Sequence, residues 1–211
     1  MPPTVALLLK APRPSQVKTR LAAKVGAVKA AGIYRQLVER QLHALHPDWP
    51  ATVHYDPPDA GEQMAQWLGR LRPGLHFTPQ CHGDLGARLT MAFATEFARG
   101  APAVVAIGGD CPGLDRAILE SAQSALATSD AVLGPAADGG YYLIGLNALC
   151  ADLFAGIDWS TSSVLAQTKA RLMKNNLRFA ELPTLADVDD ADGWERAMVE
   201  DKLPEWTSGR L

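Results

Sequence analysis

Residues 104–114 read VVAIGGDCPGL. The apolar run AVVAI (103–107) has the character of a buried strand, and it ends at once in Gly108, Gly109 and Asp110, ahead of a Cys-Pro-Gly turn. Glycines supply a backbone without Cβ where a ligand or another chain segment must come close. In open α/β sheets, ligands sit beyond the carboxyl ends of the strands. A strand that delivers a carboxylate into such a turn therefore raises the question of whether the rest of the chain alternates strand and helix around it.

It does. Upstream, TVALLL (4–9), ATVHY (51–55) and GLHFTP (74–79) read as strands, the first uniformly apolar as a strand covered on both faces should be. Between them lie helical patterns at 28–46, with Ile33, Leu37, Val38, Leu42 and Leu45 on one face, and at 59–70. Leu85, Leu89, Phe93 and Phe97 then repeat every four residues, a helix ahead of the 103–107 strand, and a further helix follows at 115–127. Downstream, AVLGP (131–135) and YYLIGL (141–146) read as strands across a glycine-rich link. A helix at 162–174, entered through the capping-type run WSTSS, a short strand at 177–182 and a helix near 191–199 complete the pattern. Repeated β-α units predict an α/β fold: a mostly parallel sheet with helices on both faces. No repeat, low-complexity tract or long linker divides the chain, so residues 1–211 are expected to form one domain.

Composition excludes several classes. Hydrophobic residues make up 47% and charged residues 20%, enough apolar content for a real core. The net charge of −3 provides no basic field for nucleic acid. The apolar run near the N-terminus is too short to span a membrane and lacks the marks of a secretory signal, which points to a cytoplasmic protein. Cys81, Cys111 and Cys150 are scattered and form no C-x-x-C pair, so they read as reduced thiols. His43 and His46 share a helix face without an evident third ligand; His82 alone falls within a polar cluster. Neither a Walker motif nor a G-x-S-x-G elbow is present.

The chemistry-bearing residues collect after strands. KAPRPSQVKTRL (10–21) carries Lys10, Arg13, Lys18 and Arg20, is stiffened by Pro12 and Pro14, and holds no acid. Such a loop suits a di- or triphosphate, with arginine giving paired donors and lysine a point charge. Asp110 reads equally as a ligand for magnesium or manganese, which prefer carboxylates, and as the first residue of an Asx-turn. Gly108 and Gly109 would let a nucleotide approach the backbone. In HGDLGARL, Gly83, Asp84 and Arg88 surround a helix start that could face an anion, although Asp84 also fits a plain cap. Asp138, with Gly139 and Gly140, could face a substrate hydroxyl or a base edge, or equally make a plain turn. The run DVDDADGWERA (187–197) reads as a solvated helix start, or as the source of a second carboxylate for the metal.

KAPRPSQVKTRL (10–21), QCHGDLGARLTMAF (80–93), IGGDCPGL (107–114), LGPAADGGYYLIGL (133–146), DWSTSSVLAQT (158–168) and DVDDADGW (187–194), in this order, resemble a family of small bacterial proteins in the nucleotide-diphospho-sugar transferase superfamily. Members are commonly classed as glycosyltransferases, some linked by name to arsenosugar biosynthesis. More distant relatives include the molybdenum cofactor and phospholactate guanylyltransferases. The resemblance implies a GT-A-type, Rossmann-like three-layer sandwich with a mixed, mostly parallel sheet, and a Mg2+ or Mn2+ cofactor. It aligns Asp110 with the metal-binding aspartate after the fourth strand, and Asp189 with an aspartate of a D-x-D-T-P-E-D-type motif that gives some relatives a second carboxylate. Lys18 and Arg20 match a V-K-T-R-L element near the phosphates. The sequence departs from the pattern in two places: Ser15 stands where the resemblance implies glycine, and Asp190, Ala191 and Gly193 stand where it implies the Thr-Pro and final Asp.

The resemblance supports metal-dependent glycosyl transfer from a nucleotide-diphosphate sugar to a small-molecule acceptor, with Asp110 and Asp138 as catalytic residues. Nucleotidyl transfer from a nucleoside triphosphate to a phosphorylated small molecule is the alternative, and nucleotide binding without catalysis a third. The loop after the first strand, KAPRPSQ, has none of the glycines of an L-x-A-G-G-type nucleotidyltransferase loop, which favours the first.

Overall fold

The computed structural model describes residues 1–200 and Leu203. Seven strands form one sheet: β1 (Thr4–Lys10), β2 (Ala51–Asp56), β3 (His76–Pro79), β4 (Val104–Ile107), β5 (Ala131–Pro135), β6 (Tyr141–Leu146) and β7 (Phe179–Glu181). Their order across the sheet is β3-β2-β1-β4-β6-β5-β7. β1 pairs parallel with β2 and β4, β2 with β3, and β5 with β7. β6 is antiparallel to both β4 and β5, so it alone runs against the rest. The sheet is mixed and mostly parallel, as the α/β pattern and the resemblance imply.

Alternation along β1 sends side chains to both faces. Val5, Leu7 and Leu9 join a core with Tyr34, Val38 and Leu42 of α2 (Ala27–Ala44), Met64 and Leu68 of α3 (Gly61–Leu71), and Leu119 and Ala122 of α5 (Arg116–Leu126). Ala6 and Leu8 face a second core with Leu89 and Phe93 of α4 (Leu85–Ala98) and Leu172 of α6 (Val164–Lys174). This makes three layers. A third, smaller cluster packs Leu21 of α1 (Thr19–Val25) and Trp194 of α7 (Ala191–Glu200) against Ile33 and Leu37.

The basic loop is shorter than its sequence suggests. Residues 19–21, expected as loop, open helix α1, and Lys18 precedes it with φ 48° and ψ 48°. Ser15, where the family pattern has glycine, also adopts a left-handed φ of 66°. That conformation costs any residue with a Cβ and would suit the glycine that the resemblance implies there.

The chain runs outward from β1 through β2 to β3, then returns to the other side of β1 to lay down β4. This reversal opens a crevice between the carboxyl ends of β1 and β4, where ligands of doubly wound sheets bind. Lys10 ends β1 on one lip; Gly108 and Asp110 follow β4 on the other.

Candidate functional site

The Gly-Gly-Asp turn is fixed from below. In α2, Arg40 Nε donates to the carbonyl of Pro112 at 2.8 Å and Gln41 Nε2 to that of Cys111 at 2.9 Å. Gly109 is buried, and a Cβ there would lie 2.8 Å from Val38 Cγ2 and 2.9 Å from Leu9 Cδ2. Its missing side chain therefore serves packing between β4 and α2, whereas the expectation was close nucleotide approach. Gly108 differs: it is exposed, and a Cβ would meet only Asp110 Oδ1, at 3.8 Å. Gly109→Ala is expected to lower stability by about 1–3 kcal/mol through overpacking. Chemical denaturation should show this, with Gly108→Ala unfolding like the wild type.

The acidic C-terminal segment reaches the same place by extending the sheet. Leu182 N donates to Leu133 O at 2.8 Å, Leu185 N to Pro135 O at 3.1 Å and Val188 N to Asp110 O at 3.0 Å. These bonds set Asp187 and Asp189 beside Asp110. At their meeting point lies the ammonium of Lys18, whose Nζ donates to Asp110 Oδ2 at 2.7 Å and to Asp189 Oδ1 at 3.0 Å. The Lys18 side chain is only 5% exposed. Burial favours its neutral form, but Asp110 and Asp189 together outweigh that and hold its pKa above the usual lysine value. Arg20, 79% exposed, stands 3.8 Å from Asp189 Oδ2.

Asp187 was singled out by no sequence signal. Burial first, then Asp110 and Asp138, and finally Asp189 push its carboxyl up to about 7, against the opposing pull of Lys18. Asp110 and Asp189 thus share one lysine, with Asp187 close enough to feel all three charges. Tyr34, buried under the turn, has its phenol pushed above the ordinary range by burial and by Asp110, and its oxygen accepts the Lys10 amide at 3.0 Å.

The cleft above these groups has a volume of about 610 Å³. Lys10, Lys18, Arg20, Gly108, Asp110 and Asp189 all line it. The opposite wall is apolar, with Leu85 and Leu89 at the start of α4 and Ala106 and Ile144 from the sheet. Other candidates lie outside the lining. Arg13 pairs with Asp59 at 3.0 Å, tying the loop after β1 to the segment after β2. Asp84 caps α4, accepting the Ala87 amide at 2.8 Å. Arg88 reaches back to the Gly83 carbonyl at 3.3 Å and to Asp56 at 3.4 Å. Asp138 holds its own turn, Oδ1 accepting the Gly140 amide at 2.9 Å, while Gly139, at φ 90°, abuts the backbone of Ser162.

Among the described residues, no group of three or more His, Cys, Asp or Glu side chains is arranged to hold a metal by itself. The donor set nevertheless suits magnesium or manganese, which typically take one or two carboxylates and complete their shell with water and substrate phosphate. Asp110 and Asp189 converge on one cation already, with Lys18 in that place.

A crevice at the strand-order reversal, with cations on one lip and paired carboxylates on the other, defines a nucleotide-diphospho-sugar transferase-like α/β protein. The chain belongs to the family described as "Uncharacterized protein conserved in bacteria (DUF2064)", whose model matches residues 41–161. Among solved structures, a protein of Desulfovibrio desulfuricans G20 provisionally named a nucleotide-diphospho-sugar transferase is 36% identical, with TM-score 0.82 over 90% of this chain and 84% of that one. Two others share the fold alone. The 4-diphosphocytidyl-2C-methyl-D-erythritol synthase of Anaerococcus prevotii DSM 20548 is 10% identical, with TM-score 0.61 over 92% and 94% of the two chains. The glucosyl-3-phosphoglycerate synthase of Mycobacterium tuberculosis, solved with Mn2+, UDP and glucosyl-3-phosphoglycerate, is 14% identical, with TM-score 0.52 over 93% and 76%. No curated protein matches the chain. No helix among the described residues is long and apolar enough to cross a membrane.

Proposed function

We propose that this protein transfers a glycosyl group from a nucleotide-diphosphate sugar to a small-molecule acceptor, aided by Mg2+ or Mn2+. One observation carries the reading: Asp110 and Asp189 converge on a single cation position that borders the cleft together with Lys10, Lys18 and Arg20. Asp110 and Asp189 would hold the metal, which when bound neutralises charge on the diphosphate. Lys10, Lys18 and Arg20 would bind the phosphate oxygens, arginine by paired hydrogen bonds.

The acceptor oxygen forms a bond to the anomeric carbon as the bond from that carbon to the diphosphate oxygen breaks. The departing electron pair stays on the diphosphate, where the three cationic side chains stabilise it. The acceptor's proton passes to a carboxylate, and Asp138, exposed at the end of β5, is the residue assigned to receive it. Gly108 leaves the β4 lip without a Cβ. Gly83, Asp84, Arg88, Gly139 and Gly140 support the site by shaping the turns that flank it, as does Arg13 through Asp59.

Nucleotidyl transfer is the second reading, favoured by the fold shared with the cytidylyl-type synthase. A thermal shift panel of nucleoside triphosphates, diphosphates and nucleotide sugars, each with Mn2+ and with chelator, separates the two. A ligand at a hundred times its Kd adds about 2.7 kcal/mol, roughly 5–10 °C in Tm for a chain of this size. A metal-dependent shift shared by one nucleotide sugar and its diphosphate is expected. A shift with a triphosphate alone would transfer the assignment to nucleotidyl transfer.

A further inference from the structure

Lys18 is an unusual phosphate ligand in one respect: its charge is already spent on the carboxylates. All four oxygens of Asp110 and Asp189 have a hydrogen-bond donor or a cation beside them. Asp110 Oδ1 accepts the Gly109 amide at 3.0 Å, and Asp110 Oδ2 takes Lys18 at 2.7 Å. Asp189 Oδ1 takes Lys18 at 3.0 Å, and Asp189 Oδ2 lies 3.8 Å from Arg20. A magnesium ion needs carboxylate oxygens at about 2.0–2.1 Å. An ion bridging Asp110 Oδ2 and Asp189 Oδ1 would take the place that the ammonium now holds, and two cations so close would repel.

We propose that Lys18 is a built-in stand-in cation that closes the metal position until a diphosphate draws it away, so that divalent cation and nucleotide bind cooperatively. The inference rests on reading the cleft as a metal and diphosphate site. The exchange asks little of the fold. Lys18 sits just ahead of α1, and its unbranched stem can swing the ammonium from carboxylate to phosphate by side-chain rotation alone. Arg20 is exposed at the mouth and available to engage an incoming anion before Lys18 moves. Once Lys18 has turned to the phosphate, Asp110 and Asp189 lose the ammonium they share, and a dication becomes the natural occupant between them. By linkage, whatever factor the diphosphate adds to metal affinity, the metal adds to diphosphate affinity.

The test measures Mn2+ binding to the full chain, from the resonance signal of free aqueous Mn2+, for wild type and Lys18→Met without nucleotide. The variant is expected to bind Mn2+ about tenfold or more tightly than wild type, within the usual range of coupling between sites. Equal affinities would overturn the exchange. Loss of Lys18 could also unfold the acidic cluster, so a second measurement uses wild type alone. Mn2+ is titrated with and without saturating UDP, GDP or CDP, correcting for metal–nucleotide complexes in solution. A rise of about fivefold or more with at least one of them is expected. Independent binding of Mn2+ and diphosphate would overturn the exchange while leaving the metal and diphosphate site intact. If neither Mn2+ nor any of the three diphosphates bound, the site assignment itself would fall, and the exchange with it.

Discussion

Asp110→Asn is expected to reduce transfer at least about 10²–10³-fold, the range seen when one preorganised electrostatic contact to a transition state is lost. The metal-dependent part of the nucleotide thermal shift should vanish with it. The substitution is informative because it changes so little else. An asparagine oxygen can still accept the Gly109 amide, now 3.0 Å from Asp110 Oδ1. Arg40 and Gln41 hold the carbonyls of Pro112 and Cys111, and Val188 holds the backbone carbonyl of residue 110 itself, so the turn keeps its shape. Lys18 retains Asp189, at 3.0 Å. What disappears is one negative charge at the point where a metal would be held. A folded Asp110→Asn protein that bound nucleotide with undiminished metal dependence would remove Asp110 from the ligand set.

The strand pattern was legible because apolar runs of the right length alternate with helical periodicity, and because polar clusters fall after strands and not before them. Residues 104–114 carry that signal most densely: the strand ends where Asp110 begins. The start of α1 was not legible, since Pro12, Pro14 and four cations make the stretch read as loop up to Leu21. Lys18 enters the helix from a left-handed conformation that sequence does not announce. The site was legible as a set of residues but not as a geometry. Lys18, Asp110 and Asp189 lie 92 and 171 residues apart along the chain, and only the sheet extension through Leu185 and Val188 joins them. Gly108 and Gly109 were indistinguishable in sequence, yet one faces the cleft and the other packs against α2. Asp187 could not be separated from its neighbours in DVDD, because its raised pKa comes from burial that the sequence does not encode.

Glu96→Ala should be among the most damaging single changes away from the cleft, with an expected loss of about 3–5 kcal/mol out of the roughly 5–15 kcal/mol typical of a folded domain. The carboxylate lies in the interface between α4 and β2, with both it and the His54 side chain only 3% exposed. His54 Nε2 meets Glu96 Oε1 at 3.1 Å, Arg99 Nη1 donates to the same oxygen at 3.0 Å, and Thr52 Oγ1 donates to Oε2 at 3.1 Å. Removing Glu96 leaves the buried donors of His54 and Thr52 without their acceptor and opens a void beside them. Glu96→Gln, which keeps the shape and one acceptor oxygen, should cost less, about 1–3 kcal/mol.

The pH dependence gives a separate check. Burial alone would raise the Glu96 pKa, but the His54 hydrogen bond and charge, with Thr52 and Arg99, outweigh it and hold the pKa below the usual glutamate value. A carboxylate whose folded pKa is depressed stabilises the fold fully above its unfolded pKa, near 4.3, and loses that contribution as pH falls through the lower folded value. The stability gap between wild type and Glu96→Gln, measured by urea denaturation, should therefore be largest near neutral pH and shrink steadily below about pH 4.3. A gap that stayed constant from neutral pH down to pH values well below the glutamate range would mean that the Glu96 charge contributes nothing, and that its hydrogen bonds and packing alone hold α4 to β2.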